Sequence, residues 1–473
     1  MADLRPLHDW AGPPARLTYW HPSTASLASA QNAPLSPVPP SYEQEQHLRA
    51  FRACEQRHEE MARLLIVVWE EPGFCDLATM NQVVTAHLRR HDTYHSWFEE
   101  RGDAIMRHVL TDPATIQMEH TTLGEVSAEA WRHHAMAIPA PFEWDCFRFG
   151  ILQRAAGFTC FASIDHLHGD ASVIPLMMKE IHEAYRASLD GAPPLRLGPA
   201  GHYVNYASSQ RKRAATMTLA DPEVTGWVEF LHRNEGRMPP FPLPLGVLED
   251  RCLAEYVDLD VLDAVGMAAF ESACQASGAR VIGGLLACAA LTERELAGSS
   301  RYRVVTPMAT RKSPQAFRTA GWCMGVVPID LDIANHPFPE LAGTAQRVFD
   351  GRLGMANVPI ERVLELAAEL PTIRPVATGG VMLSFNDMSR PPLSPHIERV
   401  WQKVDGRIYI SQGMAAQVSL WFFRTQKGLT LAAAYPANIT ARASMQRYVE
   451  ALRNTCRQVA DSWMRLQADI GGL

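Results

Sequence analysis

Ser163-Ile164-Asp165-His166-Leu167-His168-Gly169-Asp170-Ala171-Ser172 lies where one hydrophobic period gives way to another. Before it, Phe158 to Ile164 is a short apolar run. After it, Val173, Ile174, Met177, Met178, Ile181 and Tyr185 recur at helical spacing. A switch of period across a few polar residues predicts strand, tight loop and helix. Three roles fit the polar residues. His166 and Asp170, spaced as HxxxD, can serve as a base and a structural acid, since a neutral imidazole accepts a proton at neutral pH. His166, His168 and Asp170 also alternate, as three metal ligands on one side of an extended segment would. Ala171 follows in place of a further His, and no later ligand set completes a centre, so no metal is expected. Lastly, Asp170 can simply cap the helix, with Ser172 in its first turn. Residue types alone leave the three open.

Upstream of this centre, a pair of strands is predicted at Phe147 to Arg154 and Phe158 to Ile164, joined at Ala155-Ala156-Gly157. Further back, Leu64 to Glu70 (LLIVVWE) reads as a strand, Leu77 to Arg90 as a helix, and Glu43 to Arg63 as a helix. Residues 1–42, rich in Pro, Ser and Ala, read as an extended N-terminal strap. Downstream, Ser172 to Leu189 is helical and ends at the Pro/Gly-rich DGAPPLRLGPAG. With 473 residues, more than one core usually sustains, a two-lobed chain is expected. We place an N-terminal lobe at 43–215 and a C-terminal lobe with bridging segments at 216–473. In the latter, Val261 to Ala276 reads as a helix and Arg407 to Gln412 as a strand.

Composition narrows the function. Hydrophobic residues make up 47% and charged residues 20%, an ordinary globular balance. A net charge of -7 argues against phosphate-neutralising nucleic-acid binding, and no nucleic-acid partner is expected. Nine scattered cysteines without a CxxC pair suggest reduced thiols and a cytoplasmic protein. No transmembrane segment is expected, because no apolar run approaches about 18 residues; peripheral membrane contact stays open.

Other segments accompany the centre in a telling order: Arg90-His91-Asp92-Thr93 with Trp97-Phe98; Thr306-Pro307-Met308-Ala309-Thr310-Arg311 with Gly321-Trp322-Cys323-Met324-Gly325; and Ser384-Phe385-Asn386-Asp387-Met388-Ser389-Arg390. Together with DHLHGDA they resemble the motifs of the superfamily of chloramphenicol acetyltransferase and condensation domains, whose centre reads HHxxxDG. The SFNDMSR form and the strap PVPPSYEQEQHLR are closest to its polyketide-associated acyltransferases. Asp165 stands at the first His of the motif and Ala171 at its Gly.

The resemblance implies a mixed α/β fold of two chloramphenicol-acetyltransferase-like lobes with a tunnel at their interface. It implies His166 as the catalytic base and Asp170 as a structural partner of Arg311, with Asp165 beside them. No permanently bound cofactor is implied. The acyl thioester of coenzyme A or of the phosphopantetheine arm of an acyl or peptidyl carrier protein would be co-substrate, and a hydroxyl- or amine-bearing small molecule the acceptor. His168, the backbone N–H of Gly169, Gln417 and Ser419 are candidates to touch substrate or the oxyanion. Asp387 and Arg390 are expected to be structural at the lobe interface. The basic run Arg211-Lys212-Arg213 suits either an acidic carrier or a solvated helix face. An ester product is favoured over an amide, and the alternatives are a stand-alone condensation enzyme or a non-catalytic recruitment module.

Overall fold

The computed structural model describes residues 4–192, 197–246, 252–373, 380–388 and 395–471. Along the chain run β1 (Leu4–Pro6), β2 (Ala15–Pro22), α1 (Thr24–Gln31), α2 (Tyr42–Gln56), β3 (Leu64–Pro72), α3 (Leu77–Arg90), β4 (Ser96–Arg101), β5 (Ala104–Val109), β6 (Met118–Val126), α4 (Ala128–Met136), β7 (Phe147–Gln153), β8 (Gly157–Asp165), α5 (Val173–Leu189) and α6 (Tyr203–Thr216). Then follow α7 (Pro222–His232), β9 (Cys252–Asp263), α8 (Ala264–Ala276), α9 (Val281–Ala297), β10 (Arg301–Ala309), β11 (Met324–Asp332), α10 (Phe338–Arg352), α11 (Ile360–Leu366), β12 (Met382–Asp387), α12 (Pro395–Lys403), β13 (Arg407–Ile410), β14 (Met414–Ala415), β15 (Ser419–Thr425), β16 (Gly428–Pro436) and α13 (Ile439–Gly471). Two compact units result. One comprises Met1–Ala215, Arg311–Cys323 and Arg390–Gly413; the other Thr216–Thr310, Met324–Ser389 and Met414–Leu473.

The first unit is built on a seven-stranded sheet ordered β1-β13-β3-β8-β7-β2-β6, so β8 is its middle strand. Flanked antiparallel by β3 and β7, β8 is buried from Phe158 to Asp165. One face packs into a core with Val67, Trp69, Phe149, Ile164, Met177, Ile181 and Tyr185. The other meets Trp10, Leu17, Ile66, Val68, Trp131 and Tyr409. A strand covered on both sides has little conformational latitude, which suits it to carry a site at its end. The second unit has its own seven-stranded sheet, β11-β10-β12-β15-β16-β9-β14, packed around α8, α9, α10 and α13. Among the described residues no single helix is long and apolar enough to cross a membrane.

Three expectations change. Residues 1–42 are not simply an extended strap: β1, β2 and α1 form there, and β2 pairs with β6 and β7 inside the sheet. β2 carries buried residues on both faces, Ala15 and Leu17 on one and Thr18 and Trp20 on the other, so no alternation marks the strand that proline and serine composition obscures. Arg407 to Gln412 forms a strand, but in the first unit, where it pairs antiparallel with β3 and parallel with β1. Arg311–Cys323 likewise returns there, so the first unit is assembled from three stretches of chain and not from one continuous lobe. Finally, Val261–Asp263 ends β9, and the helix starts at Ala264, because the Asp263 side chain accepts the Gly266 N–H as an N-cap.

Gly150 of β7 faces Phe161 of β8 in the register, and a Cβ there would stand 2.3 Å from the Phe161 ring. Gly150→Ala must displace that ring from a packed core. We expect a loss of about 1–3 kcal/mol, measured as a lower urea midpoint with an unchanged slope.

Candidate active site

At the end of β8 the chain delivers Asp165, then a single 3-10 turn over His166–His168, then the loop into α5. Asp165 is fully buried, and its carboxylate is saturated. Oδ1 lies 2.8 Å from His47 Nε2 and accepts the Leu167 N–H at 3.0 Å, while Oδ2 accepts Arg63 Nη1 at 2.6 Å. Burial alone would raise its pKa. His47 and Arg63 outweigh that and hold it at about 2. Arg63 is fixed in turn by the carbonyls of Ile138 and Pro139.

His166 is anchored through its backbone, its N–H donating to the Arg63 carbonyl at 2.9 Å. The half-buried ring lies against Trp322, with centroids 3.8 Å apart, and 6.3 Å from the His47 ring. Nδ1 is sealed from solvent without a hydrogen-bond partner, so the ring meets solvent through Nε2. Desolvation, then repulsion from His47, lowers its pKa to about 4; its own backbone, Asp170 and Asp165 oppose the shift without reversing it. The imidazole is therefore neutral at physiological pH.

Asp170 turns away from His166. Oδ1 accepts the Ser172 N–H at 3.0 Å, the local cap of the turn into α5. Oδ2 accepts Arg311 Nη1 at 2.6 Å and the Cys323 N–H at 3.0 Å. Arg311 donates onward to the carbonyls of Gly321 at 2.9 Å and Thr319 at 3.4 Å. Its burial disfavours charge, but Asp170 more than restores it. The ion pair thus folds the 311–323 loop around one guanidinium and sets Trp322 on His166. The Tyr203 hydroxyl donates to the Trp322 carbonyl at 3.0 Å. Gly321 has φ +143°, and a Cβ would stand 2.2 Å from the Tyr203 ring, so only glycine lets the loop pass. Ala171, by contrast, keeps out of the left-handed region.

The remaining candidates separate. His168, a candidate substrate contact, is buried against Tyr94 and Phe147, with Nδ1 3.4 Å from Thr93 Oγ1 and Nε2 3.2 Å from Cys146 Sγ. The 3-10 turn rotates alternate residues off one face, so the HxHxD side chains do not converge. The Gly169 N–H is already directed at the His166 carbonyl, at 3.3 Å. Gln417 and Ser419 belong to the second unit, where Gln417 Oε1 accepts the Phe241 N–H at 3.4 Å. Asp387, also of that unit, lies 3.6 Å from Arg424 across the β12–β15 register; Arg390 lies outside the described residues. Arg211 stacks on Tyr42 and donates to the Pro40 carbonyl. His47, Arg63 and Trp322 line the site without having been singled out as site residues: His47 and Trp322 lie in segments that carry the family resemblance, but nothing local gives them a role.

Among the described residues, His87, His91 and Glu180 could gather about a metal ion. The Ala320 N–H donates to His91 Nδ1 at 3.3 Å, which leaves the ring proton on Nε2, 2.9 Å from Glu180 Oε2. That ring donates to the carboxylate and does not ligate. With Arg90 Nε 3.4 Å from Glu180, the group is an ion-pair network tying α3 to α5.

A mixed sheet whose middle strand ends in a DHxxxD loop, braced from behind by an Asp–Arg pair, is the architecture of the condensation-type acyltransferases. The Condensation domain family model matches residues 66–464. The trehalose-2-sulfate acyltransferase PapA2 of Mycobacterium tuberculosis (strain ATCC 25618 / H37Rv) is 41% identical over 98% of this chain and 98% of its own. Acyltransferase PapA3 of the same strain is 38% identical over 96% of both. The solved structure of PapA2 acyl transferase superimposes with a TM-score of 0.93 at 40% identity, covering 97% of this chain and 100% of that one. The condensation domain of the Monacolin K polyketide synthase MokA shares the fold alone, with a TM-score of 0.67 at 13% identity over 90% and 98%. The chain belongs to the condensation-domain family, among its polyketide-associated acyltransferases, and is an acyltransferase.

Removing one partner of a buried pair strands the other charge. Asp170→Asn and Arg311→Met should each cost about 3–5 kcal/mol, and the double variant less than their sum. Chemical denaturation of the four proteins measures the coupling; strict additivity would show that the pair does not organise the loop.

Proposed function

We propose that this enzyme moves an acyl group from a thioester, on coenzyme A or on a carrier-protein phosphopantetheine arm, to a hydroxyl of a sugar such as trehalose or a related polyol, with His166 as general base. The observation that carries the reading is the isolation of His166. Asp165, His168 and Asp170 are all held by other groups, while this imidazole is neutral and has one nitrogen open. Its Nε2 takes the proton of the acceptor hydroxyl as the oxygen attacks the thioester carbonyl. Collapse of the tetrahedral intermediate breaks the C–S bond, and the departing thiolate recovers that proton from the imidazolium to leave as a thiol. A ring whose proton affinity is lowered by its surroundings is fully available as a base and returns the proton readily. Positioning both reactants beside it supplies the remainder without an acyl-enzyme, consistent with the lack of a GxSxG elbow in the sequence.

The ester reading is supported by the relatives, which are named for acylating trehalose-2-sulfate and 2'-acyl-2-O-sulfo-trehalose. Incubating acyl-CoA and acyl-carrier-protein donors with trehalose, its sulfate, other polyols and amines, and weighing the products by mass spectrometry, resolves donor and acceptor together. His166→Ala should lose about 10²-fold or more in rate while staying folded. Because the base must be neutral and its pKa is lowered to about 4, kcat/KM should stay flat as pH falls from 8 through the ordinary histidine value near 6.5 and decline only toward 4. An acid limb near 6.5, or an active His166→Ala enzyme, would remove His166 from the base role.

A further inference from the structure

The first residue of the family motif is an aspartate here, and what that carboxylate holds is a second histidine from a distant element. His47 projects from α2, whose start is fixed by a capping box between Ser41 and Gln44. Its side chain is 3% exposed. Nε2 lies 2.8 Å from Asp165 Oδ1, which makes it the proton-bearing nitrogen against a carboxylate. The ring stands edge-on to Trp322 at 5.6 Å between centroids and 6.3 Å from His166. His47, Trp322 and His166 thus form one aromatic group, each ring within 6.3 Å of the other two between centroids. A buried carboxylate favours a charged imidazole over a neutral one, and Arg63 Nη1, 2.6 Å from the other oxygen, keeps Asp165 ionised.

We propose that His47, clamped by Asp165, is a positioning residue of the acyl-transfer site that keeps the His166 ring uncharged. The proposal rests on the general-base reading of His166 and extends it to the residue that sets the base's charge. The charged groups around His166 are few and fixed. His47 comes from α2, Asp165 from β8, Arg63 from the segment entering β3, and the Asp170–Arg311 pair from the loop behind. Asp165, shared between Arg63 and His47, and Asp170, paired with Arg311, both favour a proton on His166. A charge on His47, 6.3 Å away between ring centroids, opposes a proton on His166 and acts in the same direction as burial, which lowers its proton affinity most. The effect is catalytic economy: the base stays available in acid, and the imidazolium formed during transfer gives its proton up to the thiolate.

The test is a histidine titration by NMR on isotopically labelled protein, run beside the pH profile of kcat/KM. In His47→Gln, which keeps a hydrogen-bond donor for Asp165 and removes the charge, the His166 midpoint and the acid limb of kcat/KM should both move upward by about one to two pH units, the size expected of like charges some 6 Å apart in a protein interior. Rates at pH 8 should change by far less than those at pH 5.5. A His166 midpoint unmoved in the folded variant would overturn the proposal, as would an activity loss equal at all pH values. If His47→Gln does not fold, the wild-type titration decides: coupling requires the His166 signal to show a second inflection at the His47 midpoint, and independent single-step curves refute it. The NMR arm does not depend on catalysis. An active His166→Ala enzyme with a shifted His166 midpoint in His47→Gln would therefore reject the base role and retain the coupling.

Discussion

Everything near the catalytic loop leans on the ion pair between Asp170 and Arg311, two residues 141 positions apart in sequence. Burying two charges costs several kcal/mol each unless their remaining hydrogen-bonding capacity is used. Here it is used on both sides. The carboxylate also takes the N–H groups of Ser172 and Cys323, and the guanidinium also serves the Gly321 and Thr319 carbonyls. The pair therefore closes the turn into α5 and the 311–323 loop simultaneously. Its output is positional: Trp322, carried between two residues that the pair binds directly, is pressed on the His166 ring.

The division of labour in the loop follows from that constraint. Asp165 clamps His47 and Arg63, His168 is packed beneath among Tyr94, Phe147 and Cys146, and Asp170 braces the loop. Asp165, His168 and Asp170 are each held by other groups, so none of them pairs with the His166 ring. Of four titratable residues in six positions, Asp165 to Asp170, three are thus held by other groups and His166 is the one left unpaired. The arrangement works because a 3-10 turn, with three residues per turn, sends His166 and His168 in different directions. An extended segment would have put them on one side, as a metal site requires.

Much of this was legible along the chain and part was not. The strand-loop-helix change at Phe158 to Tyr185 is encoded locally, in hydrophobic period and in polar residues at the junction, and β8 and α5 form there. Membership of β13 in the first sheet could not be read the same way. Arg407–Ile410 announces a strand by its β-branched and aromatic residues, but its partner Leu65–Val68 lies over 300 residues earlier, and pairing depends on packing across that distance. The same holds for His47 and Arg63. Helix α2 reads as an ordinary amphipathic helix, and nothing within it marks His47 as facing a carboxylate; only the path of β8 does that. The N-terminal strap misled for a related reason, since proline and serine composition hid β2, which is buried on both faces and carries no alternation.

His166 retains one costly feature, a buried Nδ1 without a hydrogen-bond partner, in a loop where nearly every other polar atom is paired. A buried unsatisfied nitrogen costs about 1–3 kcal/mol, and fold stability alone gives no reason to keep it. Its own backbone favours a proton on the ring, against the larger effect of burial. A strong acceptor at Nδ1, such as a carboxylate, would satisfy the atom and raise the basicity of the ring, but it would also hold the imidazolium once formed. In an acyl transfer whose leaving group must recover the same proton, a weakly supported Nδ1 keeps both directions of proton movement open. Among the described residues, this unpaired Nδ1 thus coincides with the imidazole proposed as the base.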